Sequence, residues 1–278
     1  MKKRSLLERL HTNGVSYLIG AALLLLFIPL YQLLLLNPLG YGDALHQTGS
    51  SYLAWIGEHS WQFLLYRVLL ALAFMLLFTL PFALFRIIVA QEIMIQQERE
   101  TEGEEESDQK EHIEDKEEQG TAMPPYAWRG KGFAIIAAWS GIAGIVVYIL
   151  GTIASTLYAL IVSNGVQTNA PLPAGYLGLS TFFTIFGQTV GMGLLALSTL
   201  FFGAMIARGG RNVWPGIWVA LGYTALATAA LLSGSAVAVA SAPSEGQAAL
   251  TTPAILLFAL WVLWLGILLV RLKPEEEA

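Results

Sequence analysis

The chain contains no cysteine. This absence excludes disulfide bridges, thiolate metal sites and cysteine nucleophiles, although it does not assign the protein to a redox compartment. Charged residues are also scarce, at 13% of the 278 residues, whereas about 25% is usual in soluble domains. Hydrophobic residues make up 55% of the chain and occur in long runs. This composition excludes an ordinary soluble domain and indicates a membrane protein.

Six apolar runs are long enough to cross a bilayer, which takes about 20 helical residues. The first run follows a basic leader, but no small-x-small cleavage site comes after it, so we expect it to remain as a helix. The predicted fold class is therefore all-α, a polytopic membrane protein with six transmembrane helices. The predicted spans are residues 15–36, 63–89, 133–162, 177–206, 214–240 and 253–271.

One long segment is too acidic to lie in or against a membrane. Residues 96–121 hold twelve acidic and three basic side chains, a net charge of −9. Such a segment buries too little apolar surface to offset the entropy of ordering it. We therefore predict an acidic, disordered linker at 96–122. It separates an N-terminal two-span hairpin with an outer loop, residues 1–95, from a four-span helical bundle, residues 123–278.

Lysine and arginine are distributed unevenly between the two sides of the predicted bundle. The chain has 15 of them, and all except Arg67 fall on the side that carries both termini and the linker. Cytoplasmic segments of membrane proteins carry an excess of these residues. We therefore predict that both termini and the linker are cytoplasmic. The basic residues of that side are Lys2, Lys3, Arg4, Arg9, Arg86, Arg99, Lys110, Lys116, Arg129, Lys131, Arg208, Arg211, Arg271 and Lys273.

Ionisable groups are missing from the membrane part of spans three to six, where the sequence has no Asp, Glu, Lys or His. Proton-coupled carriers and pumps usually rely on such groups, which argues against that class. Ser155 and Ser198 have no base in the spans to activate them, so we predict no catalytic residue. No histidine lies at membrane depth to ligate haem, and we expect no cofactor.

The first outer loop holds four polar residues of the types that bind metals: Asp43, His46, Glu58 and His59. Histidine and carboxylate ligands suit zinc. Their spacing matches no ligand pattern, so we interpret them as ordinary loop residues and predict no metal site.

Arg67 is the single cation predicted inside a span, near the outer end of the second one. Charges in spans are costly and usually functional, which would make it an anion or substrate contact, or a partner of Asp43 or Glu58. The alternative is that its long side chain reaches the outer interface. Residues 68–85 alone nearly span a membrane, which favours that alternative.

Glycines recur at helical spacing in the third and fourth spans. Gly187 and Gly191 form a G-x-x-x-G pair, and Gly141 and Gly144 lie on one face of span three. Small residues allow two helices in a membrane to approach closely. We therefore predict that these four glycines pack helix against helix.

The same part of span four also carries polar side chains. Thr184, Gln188 and Gly191 share a face, which favours polar helix packing. The sharper hypothesis is a neutral polar pocket between spans three, four and five. Its lining would be Gln188, Thr184, Tyr148 and Tyr223, and Arg67 is a further candidate for ligand binding.

Residues 178–232 read GLSTFFTIFGQTVGMGLLALSTLFFGAMIARGG and then RNVWPGIWVALGYTALATAALL. In this stretch a glycine-bearing span, a short basic turn and a second glycine-bearing span follow one another. It resembles a broad group of uncharacterised bacterial multi-pass membrane proteins, of the domain-of-unknown-function type. The resemblance implies a location in the bacterial cytoplasmic (plasma) membrane.

Three functions are compatible with these features. The first is a non-enzymatic scaffold or accessory subunit of a membrane assembly, whose acidic linker recruits a basic cytoplasmic protein or another membrane partner. The second is a facilitator or binder of a neutral or lipid-like solute at the polar face of span four. The third, least favoured, is an enzyme using His46 or His59. Membrane lipids are expected partners, whereas the basic residues suit cytoplasmic flanks and not nucleic acid.

Overall fold

The computed structural model describes residues 3–46, 49–94, 125–167, 171–241 and 250–272. Within these ranges the chain is helical and has no strand. Six helices are long and apolar enough to cross a membrane. This confirms an all-α protein with six candidate spans. The predicted linker, 96–122, lies outside the described residues.

The long helices match the predicted spans in position, and three of them extend about two to three turns beyond the predicted ends. α1 runs from Lys3 to Leu36 and contains two π-helical turns, Leu23–Phe27 and Gln32–Leu36. Two short helices follow, and then five further long ones. Their bounds are α2 Tyr41–His46, α3 Gly49–Glu58, α4 Ser60–Met94, α5 Pro125–Ser163, α6 Tyr176–Val213, α7 Gly216–Ser241 and α8 Thr252–Arg271.

The six long helices form a closed ring in chain order. α1 packs on α4, α4 on α5, α5 on α6, α6 on α7 and α7 on α8, and α8 packs back on α1. Buried apolar side chains from all six belong to one hydrophobic core. The helices before and after the linker therefore share a core.

Aromatic side chains fill the middle of this ring. The Phe74 ring of α4 lies with its centroid 4.2 Å from that of Tyr148 and 6.2 Å from that of Phe258. Trp261, only 1% exposed, donates its indole N–H to the carbonyl of Leu221 at 3.2 Å. Large aromatic side chains supply much of the packing area of such a core. These aromatic side chains therefore fill the interior of the helix bundle around Phe74.

Besides α1 with its π-helical turns, α4 and α6 are irregular. α4 is interrupted at 77–79, just before Pro81. Proline has no N–H to donate to the carbonyl of Leu77, which instead accepts from the amide of Leu80 at 2.9 Å. α6 contains a π-helical turn at Ile185–Val190 and a kink at Gly210, whose φ of 59° suits glycine.

Contacts between distant residues show which helix ends lie together. The His11 ring nitrogen Nε2 is 2.7 Å from the Leu272 carbonyl, so the described ends of α1 and α8 meet. Gln91 donates to the Val213 carbonyl at 2.8 Å, which joins the ends of α4 and α6. At the other ends of the helices, α3 lies on α5. We call that second end the α3 end.

Candidate functional site

A polar cleft lies between α4, α5 and α6. Its enclosed volume is about 20 Å³, enough for a water-sized group, within about 280 Å³ of free space that is open to the surroundings. Arg67 lies seven residues after the start of α4, and Ser155 eight residues before the end of α5, so the cleft begins roughly 10 Å below the α3 end of the bundle. The residues that line it are Arg67 from α4, Tyr148, Gly151, Thr152 and Ser155 from α5, and Phe183, Thr184, Gly187 and Gln188 from α6.

A close contact between two backbones forms the narrow side of the cleft. A Cβ atom added to Gly151 would lie 2.5 Å from the Cα atom of Gly187. Only glycine permits that approach. On either side of Gly151, helical spacing places Tyr148, Thr152 and Ser155 on the same face of α5. The glycine pair and the polar groups are therefore parts of one helix face.

The π-helical turn of α6 lies at the cleft. Ile185–Val190 contains both Gly187 and Gln188. One residue is inserted into a helix by such a turn, and π-turns occur frequently at functional sites. It also contains Thr189. The irregular turn is thus where α6 presents its polar side chains.

Three buried polar atoms at or beside the cleft have no hydrogen-bond partner among the described residues: Arg67 Nε, Gln188 Oε1 and Thr189 Oγ1. Buried polar groups in proteins are nearly always paired. Leaving one unpaired costs about 1–3 kcal/mol, and more for a charged group. Two of the three belong to cleft-lining residues. The cleft is therefore a place where a polar molecule from outside the chain would restore missing hydrogen bonds.

The guanidinium of Arg67 points into the bundle, since its Nη2 atom lies 3.5 Å from Ser155 Oγ. Its central carbon Cζ is 5.4 Å from the centroid of the Phe63 ring. Asp43 and Glu58, the carboxylates predicted as alternative partners, are both exposed. Neither is an electrostatic neighbour of the guanidinium. Among the described residues, Arg67 therefore has a single, long hydrogen bond and no counter-charge.

Tyrosines surround this cation. Tyr41, Tyr52, Tyr66 and Tyr148 are its electrostatic neighbours. Tyr41 and Tyr52 come from the short helices α2 and α3, and burial raises the pKa of both phenols above the ordinary value. A higher pKa keeps a phenol protonated and neutral at pH 7. The surroundings of Arg67 are thus polar but uncharged.

The structure brings together most of the predicted ligand-binding residues. Arg67, Tyr148, Thr184 and Gln188 all line the cleft. Tyr223 does not, because its side chain is 60% exposed on α7. The cleft consequently lies between α4, α5 and α6, whereas the sequence placed it between the third, fourth and fifth spans, which are α5, α6 and α7.

Sequence reasoning missed two polar lining residues. Thr152 and Ser155 stand one and four residues after Gly151. Their spacing from Tyr148, at i+4 and i+7, is a signal that is present in the sequence. From the sequence, Ser155 is interpreted as part of a small-residue packing face of span three and as a serine without an activating base, and not as a lining residue.

The four glycines predicted to pack helices all lie against neighbouring chain segments. A Cβ atom added to Gly144 would lie 2.9 Å from the Gly191 carbonyl oxygen. One added to Gly191 would lie 3.1 Å from the Tyr148 amide nitrogen. At Gly187 the nearest atom is Gly151 Cα, at 3.3 Å. At Gly141 the added atom would meet Ser198 Oγ at 2.5 Å and the Pro81 ring at 2.7 Å.

The described polar side chains between α1 and α4, those of Asp43, Glu58 and His59, do not gather, and the His46 side chain lies outside the description. The His59 ring stacks on Trp55 with centroids 5.0 Å apart, and Asp43 and Glu58 are exposed. Over the described part of the chain, no three His, Cys, Asp or Glu residues come close enough to hold a metal ion.

Comparisons with known proteins find no matching family model, no matching curated protein and no matching solved structure. The resemblance of residues 178–232 to bacterial multi-pass proteins therefore stays a prediction. The fold and the cleft nevertheless indicate a class of protein. The six apolar helices fit a multi-pass membrane protein, and they enclose a polar cleft that contains one unneutralised cation.

Proposed function

We propose that this protein binds a lipid-like solute, whose polar group enters the cleft between α4, α5 and α6. The unpartnered atoms Arg67 Nε and Gln188 Oε1 carry this proposal. In a bilayer no bulk water compensates such groups, so each remains costly until a partner arrives. A bound polar group supplies that partner.

The surface beside the cleft suits the apolar part of such a solute. Phe182, next to lining residue Phe183, is 57% exposed and stacks on Phe186 with centroids 6.0 Å apart. Phe183, Thr184 and Gln188 are only partly buried, so the cleft opens to this surface. A molecule with a polar head and an apolar tail matches both environments.

The other hypotheses have less support. A scaffold that recruits a basic protein depends on the acidic segment 96–122, which lies outside the described residues. An enzymatic role finds no support at Ser155, whose hydroxyl donates to the Thr152 carbonyl at 3.0 Å and faces a cation. A nucleophile needs a base in that position. We therefore propose a non-enzymatic binding protein.

The proposed location is the bacterial plasma membrane, with both termini in the cytoplasm. The excess of lysine and arginine at that end supports this orientation. The cleft then lies in the outer half of the bundle. The chain has no cysteine, so a Ser107→Cys variant can be probed in intact cells without background. A thiol reagent that cannot cross membranes should leave it unlabelled, and labelling would reverse the orientation.

The binding proposal is tested by Gln188→Leu. The full chain is extracted in an uncharged detergent, and retained lipid is measured by native mass spectrometry together with thermal stabilisation by added lipid. Loss of one hydrogen bond should weaken binding about 2- to 10-fold. Gln32→Leu is the matched control, because Gln32 lies on α1 outside the cleft. Equal retention and stabilisation in both variants would rule out the cleft as the binding site.

A further inference from the structure

The hydrogen-bonding capacity of Arg67 is largely unused. A guanidinium carries five N–H donors in a planar fork that matches carboxylate and phosphate oxygens. The structure gives this one a single hydrogen bond, to Ser155 Oγ at 3.5 Å, and leaves Nε unpartnered. The group is therefore equipped to receive an acceptor with more than one oxygen.

The charge of the cleft restricts which ligand groups can serve as that hydrogen-bond acceptor. Arg67 contributes one positive charge, and the other lining residues are neutral. The phenols of Tyr41 and Tyr52 are neutral at pH 7 as ordinary phenols are, and burial, which raises their pKa, makes ionisation still less favourable. A cationic ligand would be repelled by Arg67, and a neutral one would leave its charge uncompensated. The complementary ligand carries negative charge on oxygen.

The shape of the cleft adds a second restriction. Polar side chains converge on it from three helices: Arg67 from α4, Thr152 and Ser155 from α5, and Thr184 and Gln188 from α6. A tetrahedral group directs its oxygens toward several sides, whereas a planar carboxylate presents two in one plane. The enclosed volume of about 20 Å³ is far below the range of about 300–1,000 Å³ typical of pockets that enclose whole drug-sized ligands. A ligand therefore reaches these side chains only with its polar end, and the rest of it must remain outside.

We infer that the cleft binds a phosphate oxyanion through Arg67, with Ser155, Thr184 and Gln188 as neutral hydrogen-bond partners. The inference rests on the proposed function, in which the head belongs to a lipid-like solute. Phosphate oxygens reach the cleft from either of two sources, a phospholipid headgroup or free phosphate. In both, bidentate pairing with the guanidinium supplies charge-assisted hydrogen bonds.

The test measures binding of four probes to the full-length protein in an uncharged detergent. The probes are phosphatidylglycerol, diacylglycerol with the same acyl chains, oleate and inorganic phosphate. Wild type should bind phosphatidylglycerol about 10- to 100-fold more tightly than diacylglycerol, because charge-assisted hydrogen bonds are lost with the phosphate. Native mass spectrometry and thermal shift both report that ratio.

The variants are Arg67→Gln, Arg67→Lys and Arg86→Gln. Arg67→Gln should reduce the ratio to about one, and Arg67→Lys should retain part of it, since a lysine keeps the charge but loses the fork. Arg67→Lys also serves as the informative variant if Arg67→Gln fails to fold. Arg86→Gln is the matched control, because Arg86 lies on the same helix but is exposed, and it should preserve the full ratio.

Each outcome decides between the proposals. Equal binding of phosphatidylglycerol and diacylglycerol by wild type would overturn the oxyanion inference and leave lipid binding intact. Oleate binding that matches phosphatidylglycerol, with the same dependence on Arg67, would replace phosphate by carboxylate and also overturn it. Stabilisation by inorganic phosphate alone, lost in Arg67→Gln, would keep the oxyanion site and overturn lipid binding. If Arg86→Gln lost the preference for phosphatidylglycerol over diacylglycerol as Arg67→Gln does, the preference would arise from surface charge, which would contradict the inference.

Discussion

α4 and α6 are both irregular, and the hydrogen bonding of their polar groups differs. At the interruption of α4, the Thr79 hydroxyl lies 3.0 Å from that of Tyr17 and 3.4 Å from Asn13 Oδ1. In the π-turn of α6, Gln188 Oε1 and Thr189 Oγ1 have no partner. The first site is satisfied by the chain itself. The second is not, and its unpartnered atoms are buried whereas Thr79 is exposed.

The difference separates polar groups that hold the fold together from groups that await a ligand. A satisfied network adds stability and specifies the packing of its helices. An unsatisfied one lowers stability, and proteins tolerate such sites mainly where function requires them. Variants of the two sites should therefore change stability in opposite directions.

The largest expected effect comes from closing the cleft at its glycine contact. In Gly151→Leu the new side chain meets the backbone of Gly187, which has no flexible atoms to move aside. Overpacking of this kind should lower the unfolding free energy by about 3 kcal/mol or more. The measurement is the thermal midpoint in detergent, with lipid binding followed in parallel.

Gly193→Leu is the control for that variant. Gly193 is on the same helix as Gly187, and a Cβ atom added there has nothing within 4 Å. Its thermal midpoint should stay close to that of the wild type. If Gly151→Leu were equally stable, the close approach of α5 and α6 would not exist.

A smaller effect is expected at the satisfied site. Thr79→Val removes the hydroxyl that pairs with Tyr17, whose side chain is fully buried on α1. The unpaired phenol should lower the unfolding free energy by about 1–3 kcal/mol. Thr224→Val is the matched control, since the Thr224 hydroxyl bonds only the Leu221 carbonyl of its own helix. An equal loss in both variants would mean that the contact between α1 and α4 contributes nothing.

The number and the positions of the long helices could be predicted because both are local properties of the sequence. About 20 apolar residues between polar flanks identify a span whatever it packs against. Residues 253–271 were predicted for the last span, for example, and the helix is Thr252–Arg271. Close helix packing in a membrane likewise has a local pattern, which singled out Gly187 and Gly191.

The rotation of each helix could not be read from the sequence, because neighbouring helices set it. Arg67 meets Ser155 across 88 positions of sequence, and nothing near Arg67 indicates that it faces inward. Tyr223 was assigned to the pocket although it faces outward on α7. The π-turn depends on one inserted residue, which the apolar pattern of the helix does not indicate. Local patterns predicted the elements and left their faces undecided.

The smallest effect expected is also the most informative about the comparison, and it concerns Gln188→Leu in protein stripped of lipid. Leucine has nearly the same size and removes an unpaired acceptor, so the unfolding free energy should stay equal or rise by up to about 1 kcal/mol. The sign is opposite to that for Thr79→Val. At a saturating lipid concentration, the wild type should have the higher unfolding free energy of the two, because only the wild type has Gln188 to form a hydrogen bond with the bound head group. A loss of stability without lipid, of the size seen in Thr79→Val, would show that Gln188 is a structural residue and that α4 and α6 do not differ in kind.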